Sequence, residues 1–419
     1  MVKVTLPFGS RTLEIEIPSR NLAGVLRPKE LPGVSDPKEE VKKALENPIN
    51  SDRLTNIVKP GDRIAIVIDD ITRPLPSRHI LPPILSELKN VGVRKEDITI
   101  IIGTGTHRPN TAEEAKILLG DYIATHYRWI NHDCDAEDLV YVGKTRYGNR
   151  VYINREYMEA DVKILVGDVM LHYYAGYGGG PKSIIPGIAG RETIEFNHSM
   201  MFHPKAISGV SKGNPVFEDI MEGAKLAGAD FVVNVVLNTK KEIVKAYSGG
   251  LETVFYKCVE LIDDIYKVKL EKKADIVLAS AGGFPFDINF YQAHKGLFNA
   301  EFAAKENGRI IYLAECRDGI GHKLFEEWML KYNTPEDVMR KLQEKFVIGG
   351  HKAYYMLRSI SRFSISLHSN MSNEYVMEVL KITPISNINE IIKKEISENS
   401  SAKVLVMPFA NETLPVITG

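Results

Sequence analysis

Ile64-Ala-Ile-Val-Ile-Asp-Asp70-Ile-Thr-Arg73-Pro74, then Ile80-Leu-Pro-Pro-Ile-Leu-Ser-Glu-Leu88, then Ile98-Thr-Ile-Ile-Ile-Gly103-Thr-Gly-Thr-His107, is the stretch that decides the fold. Two short β-branched runs flank a segment whose apolar residues recur at helical spacing, so the reading is strand, helix, strand. Similar runs at Val162 to Val166 and Phe231 to Leu237 continue the alternation, which implies an α/β fold with a mostly parallel sheet. The pattern restarts after a lysine-rich stretch, with Ala274 to Gly283, Gly308 to Cys316 and Ala402 to Ala410.

A chain of 419 residues exceeds what one hydrophobic core usually covers, so two domains are expected. Residues 1–270 read as an N-terminal catalytic and cofactor-binding α/β domain. Residues 271–419 read as a C-terminal α/β domain contributing a substrate clamp, with the active-site cleft between the two. The first residues alternate apolar and polar around Phe8-Gly9-Ser10, which predicts a β-hairpin rather than a signal peptide. Thr334-Pro335-Glu336-Asp337 supplies an N-cap, a first-turn proline and acidic residues, predicting a helix through about Phe346.

Composition narrows the partners. Apolar residues at 44% and charged residues at 26% describe an ordinary globular chain, not a disordered one. A net charge of -1 creates no field to draw nucleic acid or an anionic membrane, so a small molecule is the expected partner; a homo-oligomer stays open. No apolar run approaches the ~18 residues of a membrane-spanning helix. Cys134, Cys258 and Cys316 stand apart with no C-x-x-C pairing, which argues against a zinc or redox pair and suits the cytoplasm.

In open α/β sheets, ligands gather at the carboxyl ends of the strands, and the unusual residues fall there. Asp70 reads equally well as a helix cap and as a site residue. Arg73, a guanidinium beside a proline at a strand end, is shaped to take a carboxylate through two parallel hydrogen bonds. Gly103-Thr-Gly-Thr-His107 lets backbone approach a ligand and then presents an imidazole, though a glycine-rich turn with an incidental histidine reads the same way.

The richest stretch runs from Gly167 to His198. His172 follows a strand, Gly178, Gly179 and Gly180 read as a flexible loop, and Lys182 follows that loop. Pro181 breaks the Walker pattern, and no G-x-G-x-x-G turn forms, so neither a P-loop nor a dinucleotide fingerprint is present. The loop can still offer N–H groups to a mononucleotide phosphate. His198 has no companion at ordinary metal-ligand spacing, so a metal held there must take most of its ligands from something other than side chains. In the second half, Gly282-Gly-Phe-Pro-Phe-Asp-Ile-Asn-Phe-Tyr291-Gln292-Ala-His294-Lys295 reads as a turn opening a helix. That helix sets Gln292 and Lys295 one turn apart on one face, a clamp for anion and hydroxyl.

Taken in order, D-x-x-R at Asp70 and Arg73, G-T-G-T-H-R-P through His107, His172, G-G-G-P-K at Lys182, His198, and G-G-x-P-x-D-x-N-x-Y-Q-x-x-K ending at Lys295 resemble the nickel-dependent lactate racemase family. The resemblance implies a nickel-pincer nucleotide, a pyridinium-3,5-bisthiocarboxylic acid mononucleotide. Its tether would be Lys182, and His198 would be the protein's ligand to nickel. Asp70, Ile71, Thr72 and Arg73 would line this cofactor, and Gly178 to Gly180 would help hold its phosphate. It further implies inversion at C2 of a 2-hydroxy acid by hydride transfer, with His107 and His172 as the two acid–bases. Arg73, Tyr291, Gln292 and Lys295 would bind the substrate, and dedicated enzymes would make the cofactor. Where lactate racemases carry a tryptophan near the substrate, this chain has Lys352-Ala-Tyr-Tyr355, and His294 adds a polar group beside the clamp. A substrate larger or more polar than lactate is therefore expected: malate-like, aryl-lactate or a sugar acid. Lactate itself, an NAD-dependent dehydrogenase, and a non-catalytic nickel- or nucleotide-binding protein are the alternatives.

Overall fold

The β-branched runs form the strands expected of them, Ile64–Asp69, Ile98–Gly103, Val162–Asp168 and Phe231–Leu237, and Ser77–Val91 is the helix between the first two. The computed structural model describes residues 1–418, and its backbone contacts divide the chain into two compact units.

The unit of residues 30–264 is built on a six-stranded sheet. Its order is Ile243–Gly249, Phe231–Leu237, Val162–Asp168, Ile64–Asp69, Ile98–Gly103, Arg128–Asn131. Every neighbouring pair is parallel except the first, a hairpin. Strand Ile64–Asp69 is buried along almost its whole length, as a strand covered by helices on both faces must be. From it the chain steps to Ile98–Gly103 and Arg128–Asn131 on one side, then crosses back to Val162–Asp168 on the other. The strand order thus reverses between Ile64–Asp69 and Val162–Asp168, and the carboxyl ends of such a pair leave a crevice for a ligand.

The second unit joins residues 1–29 to residues 265–419. Its six-stranded sheet is parallel throughout: Thr383–Pro384, Ser364–His368, Ala304–Leu313, Ala274–Ser280, Val404–Met407, Leu22–Val25. The order reverses again, between Ala274–Ser280 and Val404–Met407, just where the chain runs into Gly282 and Gly283.

This division corrects the expected 1–270 and 271–419. The predicted hairpin forms, Val2–Phe8 with Arg11–Ile17, but its apolar face (Val4, Leu6, Phe8, Ile15, Ile17) packs on Ile276, Leu278, Ile311 and Val406 of the second sheet. Leu22–Val25 then supplies that sheet's edge strand beside Val404–Met407. A parallel edge pairing between opposite ends of the chain leaves no trace in local periodicity. The predicted helix at Thr334 runs Pro335–Glu344, with the Thr334 side chain accepting from the Asp337 amide. Among the described residues, no helix is long and apolar enough to cross a membrane.

Candidate active site

In the unit of residues 30–264, the predicted residues converge on the carboxyl ends of the two switch strands. Asp70 is not a helix cap. It is 3% exposed, its Oδ1 accepts from the Thr72 amide (3.1 Å) and hydroxyl (2.6 Å), and its Oδ2 lies 2.7 Å from His107 Nδ1. A carboxylate at Nδ1 keeps the proton of the neutral ring on that nitrogen and turns Nε2 outward as the acceptor. Burial opposes the charge on Asp70, but the bonds from His107 and Thr72 outweigh it and hold its pKa below the ordinary value. Ile71 packs against the hydrophobic core, and its amide donates to Asn110 Oδ1 (3.1 Å), so this residue shapes the turn.

His172 is held differently. It lies on the short strand Leu171–His172, paired with Gly176–Tyr177, and its Nδ1 accepts from the Ala175 amide (3.2 Å). The proton of the neutral ring is thereby directed to Nε2, the opposite tautomer from His107. An aromatic relay connects it to His198: Tyr174 stands edge-on to His172 (4.5 Å between ring centres, 88°) and to His198 (5.3 Å, 67°).

The glycines before Lys182 are not a flexible loop. Gly178 and Gly180 are buried, and the Gly178 amide donates to the Met170 carbonyl (2.7 Å), so it is committed to the fold rather than to a phosphate. Gly179 and Gly180 have φ of 72° and 55°, and a Cβ would fall 2.2 Å from the Asp168 carbonyl oxygen and 2.7 Å from the Phe255 ring. Only glycine fits, and the tight turn sets Lys182 against the strand ends. Burial, aided by the charge of Arg73 and opposed by Asp69, brings Lys182 down to about 7. His198, 7% exposed near the end of helix Arg191–Ser199, is brought down to about 3 by burial and by the charges of Lys182 and His107. The helix carrying it is fixed by Asn197, whose amide donates to Asp219 Oδ2 (2.8 Å). Asp219, wholly buried, also accepts from Thr145 (2.6 Å) and Asn149 (2.8 Å).

Sequence reasoning missed Asp69, Asn234 and Ser183. Around Gly167 a Cβ would sit 3.3 Å from Ser183 Oγ, 3.4 Å from Asp69 Oδ2 and 3.5 Å from Asn234 Oδ1. Asp168 Oδ1, Ser183 Oγ and both polar atoms of Asn234 are buried without a hydrogen-bond partner. Burial raises both Asp69 and Asp168 above the usual carboxylate range, and for Asp69 the neighbouring Asp168 charge adds to it. The available signal was an aspartate ending each of two adjacent strands, at Asp69 and Asp168, and a lone asparagine, Asn234, inside the otherwise apolar strand beside them.

In the second unit, helix Phe290–Glu301 opens with Asn289 accepting from the Gln292 amide (3.0 Å), and Lys295 Nζ donates to Gln292 Oε1 (2.9 Å), so the predicted one-turn pairing forms. Tyr291 stacks on His322 (5.0 Å, 16°), and Lys352 Nζ lies 5.1 Å from the Tyr291 ring centre.

Residues 8–209 match the lactate racemase N-terminal domain, and residues 269–413 match the lactate racemase C-terminal domain. A lactate racemase of Thermoanaerobacterium thermosaccharolyticum is 34% identical over 97% of this chain and 98% of its own. The chain belongs to the lactate racemase family. As a member of that family it is an isomerase, a racemase of hydroxy acids. A second lactate racemase, from Lactiplantibacillus plantarum, is 31% identical over 97% of this chain and 98% of its own. The lactate racemase apoprotein structure from Thermoanaerobacterium thermosaccharolyticum superposes with a TM-score of 0.91 at 33% identity, covering 99% of this chain and all of that one. A Thermotoga maritima protein at 19% identity shares the fold, with a TM-score of 0.66 over 93% of this chain and all of its own. The matched domains contain every family motif read from the sequence, from Asp70 to Lys295.

Proposed function

We propose that this racemase inverts C2 of a 2-hydroxy acid by moving the C–H hydrogen as hydride, using a nickel-pincer nucleotide tethered to Lys182. The observation that carries the reading is the state of Lys182 and His198. An amine at about 7 is largely neutral at physiological pH and able to form an amide-type bond. An imidazole held near 3 keeps its lone pair for a borderline metal such as nickel. The donor set fits a cofactor that brings its own sulfur and carbon ligands, needing one tether and one histidine. Asp70 to Arg73 would border it, with Asp70 occupied in orienting His107.

When bound, the cofactor supplies the electrophile that accepts and returns hydride. The chain does the rest. Arg73 would pair with the substrate carboxylate, and Gln292, Tyr291 and Lys295 would orient it. His107 Nε2 would take the hydroxyl proton as the hydride leaves, giving a 2-keto acid and an imidazolium stabilised by Asp70. Return of hydride to the other face, with His172 exchanging the proton on that side, gives the other enantiomer. Because the Ala175 amide occupies His172 Nδ1, His172 must release that bond to carry two protons.

The named relatives make lactate one reading of the substrate. Buried His294 and Lys352 beside the clamp favour a more polar acid. Intact-mass analysis of protein made together with the cofactor-forming enzymes and nickel tests the scheme, with an adduct expected on Lys182; unmodified mass and no bound nickel would refute it. His107→Ala and His172→Ala should each abolish inversion while the adduct stays, and near-normal turnover by either would refute the two-base assignment.

A further inference from the structure

The stretch that opens the clamp helix contains one acidic residue, Asp287, to which the proposed reaction gives no part. It is wholly buried, and a carboxyl group taken out of water is costly unless hydrogen bonds replace the water. Its Oδ2 accepts from two main-chain amides, Gly9 (2.7 Å) and Glu315 (3.1 Å). Gly9 lies in the turn of the N-terminal hairpin and Glu315 just past strand Ala304–Leu313, so one oxygen ties together segments far apart in the sequence. The hairpin turn is pressed against Gly283: the Phe284 amide donates to the Gly9 carbonyl (2.9 Å), and a Cβ on Gly283 would fall 2.8 Å from that oxygen. A Cβ on Gly9, whose φ is 56°, would collide with the Glu315 carboxylate, so only glycine allows the approach. Past Glu315 the chain is laced to the entrance of helix Phe290–Glu301. The Cys316 amide donates to the Asp287 carbonyl (2.8 Å), holding Cys316 at a φ of 52°, which a non-glycine residue keeps only where its surroundings fix it. The Asp318 amide donates to the Ile288 carbonyl (2.9 Å). The first amides of a helix have no acceptor within it. Here Phe290 and Tyr291 donate to the carbonyls of Gly319 and Ile320 (2.9 Å each), and Gln292 donates to Asn289. The turn bearing Tyr291 and Gln292 therefore takes its place from residues 315–320, and these take theirs from Asp287.

We infer that Asp287 is a positioning residue of the racemase: through the Gly9 and Glu315 amides it sets where the first turn of helix Phe290–Glu301 stands, and with it Tyr291, Gln292 and Lys295. The inference rests on the proposed substrate contacts of those three side chains, and it adds the N-terminal hairpin to the structure that places them. Where side chains orient a reacting substrate, a misplacement of about 1 Å can cost about a hundredfold in rate. Asp287→Ala leaves both amides without their acceptor, and the hairpin turn and residues 315–320 lose their common anchor. Asp287→Asn keeps one acceptor oxygen for them. Its N–H groups take the place of Oδ1, which is buried without a hydrogen-bond partner among the described residues, so the rescue is incomplete.

Hydrogen exchange on the full-length apoprotein reads the placement without the cofactor. The Phe290 and Tyr291 amides should exchange at least about tenfold faster in D287A and in G9A than in the wild type. Kinetics on the cofactor-loaded enzyme, with lactate and malate as the probes, should show kcat/KM per folded molecule lower by about thirtyfold to a hundredfold in D287A, with most of the loss regained in D287N. L278A, which opens a cavity in the core of the same unit, controls for lost stability and should keep kcat/KM of the folded protein within about twofold. A D287A enzyme with wild-type kcat/KM, a loss that L278A shares, or exchange unchanged in both D287A and G9A would overturn the inference. If D287A fails to fold, G9A takes its place under the same criteria, since it strikes the same anchor from the other end. K295A separates the two levels. A K295A enzyme with wild-type kcat/KM would refute the clamp reading itself, whereas an impaired K295A beside an unimpaired D287A would refute this inference alone.

Discussion

Lys182 should behave unlike any exposed lysine of this protein, and amine acylation measures how. Its pKa of about 7 leaves about half of the amine neutral at pH 7, whereas an ordinary lysine at 10.5 is neutral in about one molecule in 3,000. Lower basicity and partial burial each return some of that gain, so the diagnostic is the pH midpoint rather than the absolute rate. Apoprotein treated with an activated ester and mapped by peptide mass spectrometry should show Lys182 labelling half-maximal near pH 7. Exposed lysines should keep rising about tenfold per pH unit to pH 10. Arg73 depresses Lys182 and Asp69 raises it, so Arg73→Met should move the midpoint up by about half a pH unit to one, and Asp69→Asn should move it down. A Lys182 profile that follows the exposed lysines, or a midpoint that falls in Arg73→Met, would refute the electrostatic account of the tether.

Two further outcomes concern the groups behind the site. Asp168 has a raised pKa in the fold, so the folded chain keeps protons the unfolded chain has lost, and the penalty grows as pH rises from about 4 towards neutrality. Asp168→Asn should therefore stabilise the protein by about 1–3 kcal/mol at pH 8 and little near pH 4 by urea unfolding, with an equal gain at both counting against the assignment. Asp219→Ala leaves three buried donors unmet, Thr145, Asn149 and Asn197, and should cost about 3–5 kcal/mol while loosening the helix that carries His198. A loss under about 1 kcal/mol would show that the network does not anchor that helix.

Periodicity made the strands legible because each buried parallel strand must be apolar along its length, and the strand-end rule then pointed to Asp70, Arg73, His107 and Lys182 without coordinates. What Asp70 does was not legible. A strand-end aspartate caps a helix or orients a histidine with the same local sequence, and only the approach of His107 from the neighbouring strand's loop decides. The glycines at 178–180 misled for a similar reason: a mobile loop and a turn packed against Asp168 and Phe255 share one composition, and the difference lies in what surrounds them.

By itself the sequence determined the α/β alternation, the family motifs and the residue types that could carry the chemistry, because these depend on local periodicity and on side-chain identity. Tertiary structure alone decided that residues 1–29 complete the second sheet. It also set His107 and His172 in opposite tautomers and brought Lys182 down to about 7 and His198 down to about 3. Each of those depends on a partner or a burial supplied by segments distant in the chain, and desolvation is a property of the folded surroundings that no local pattern records.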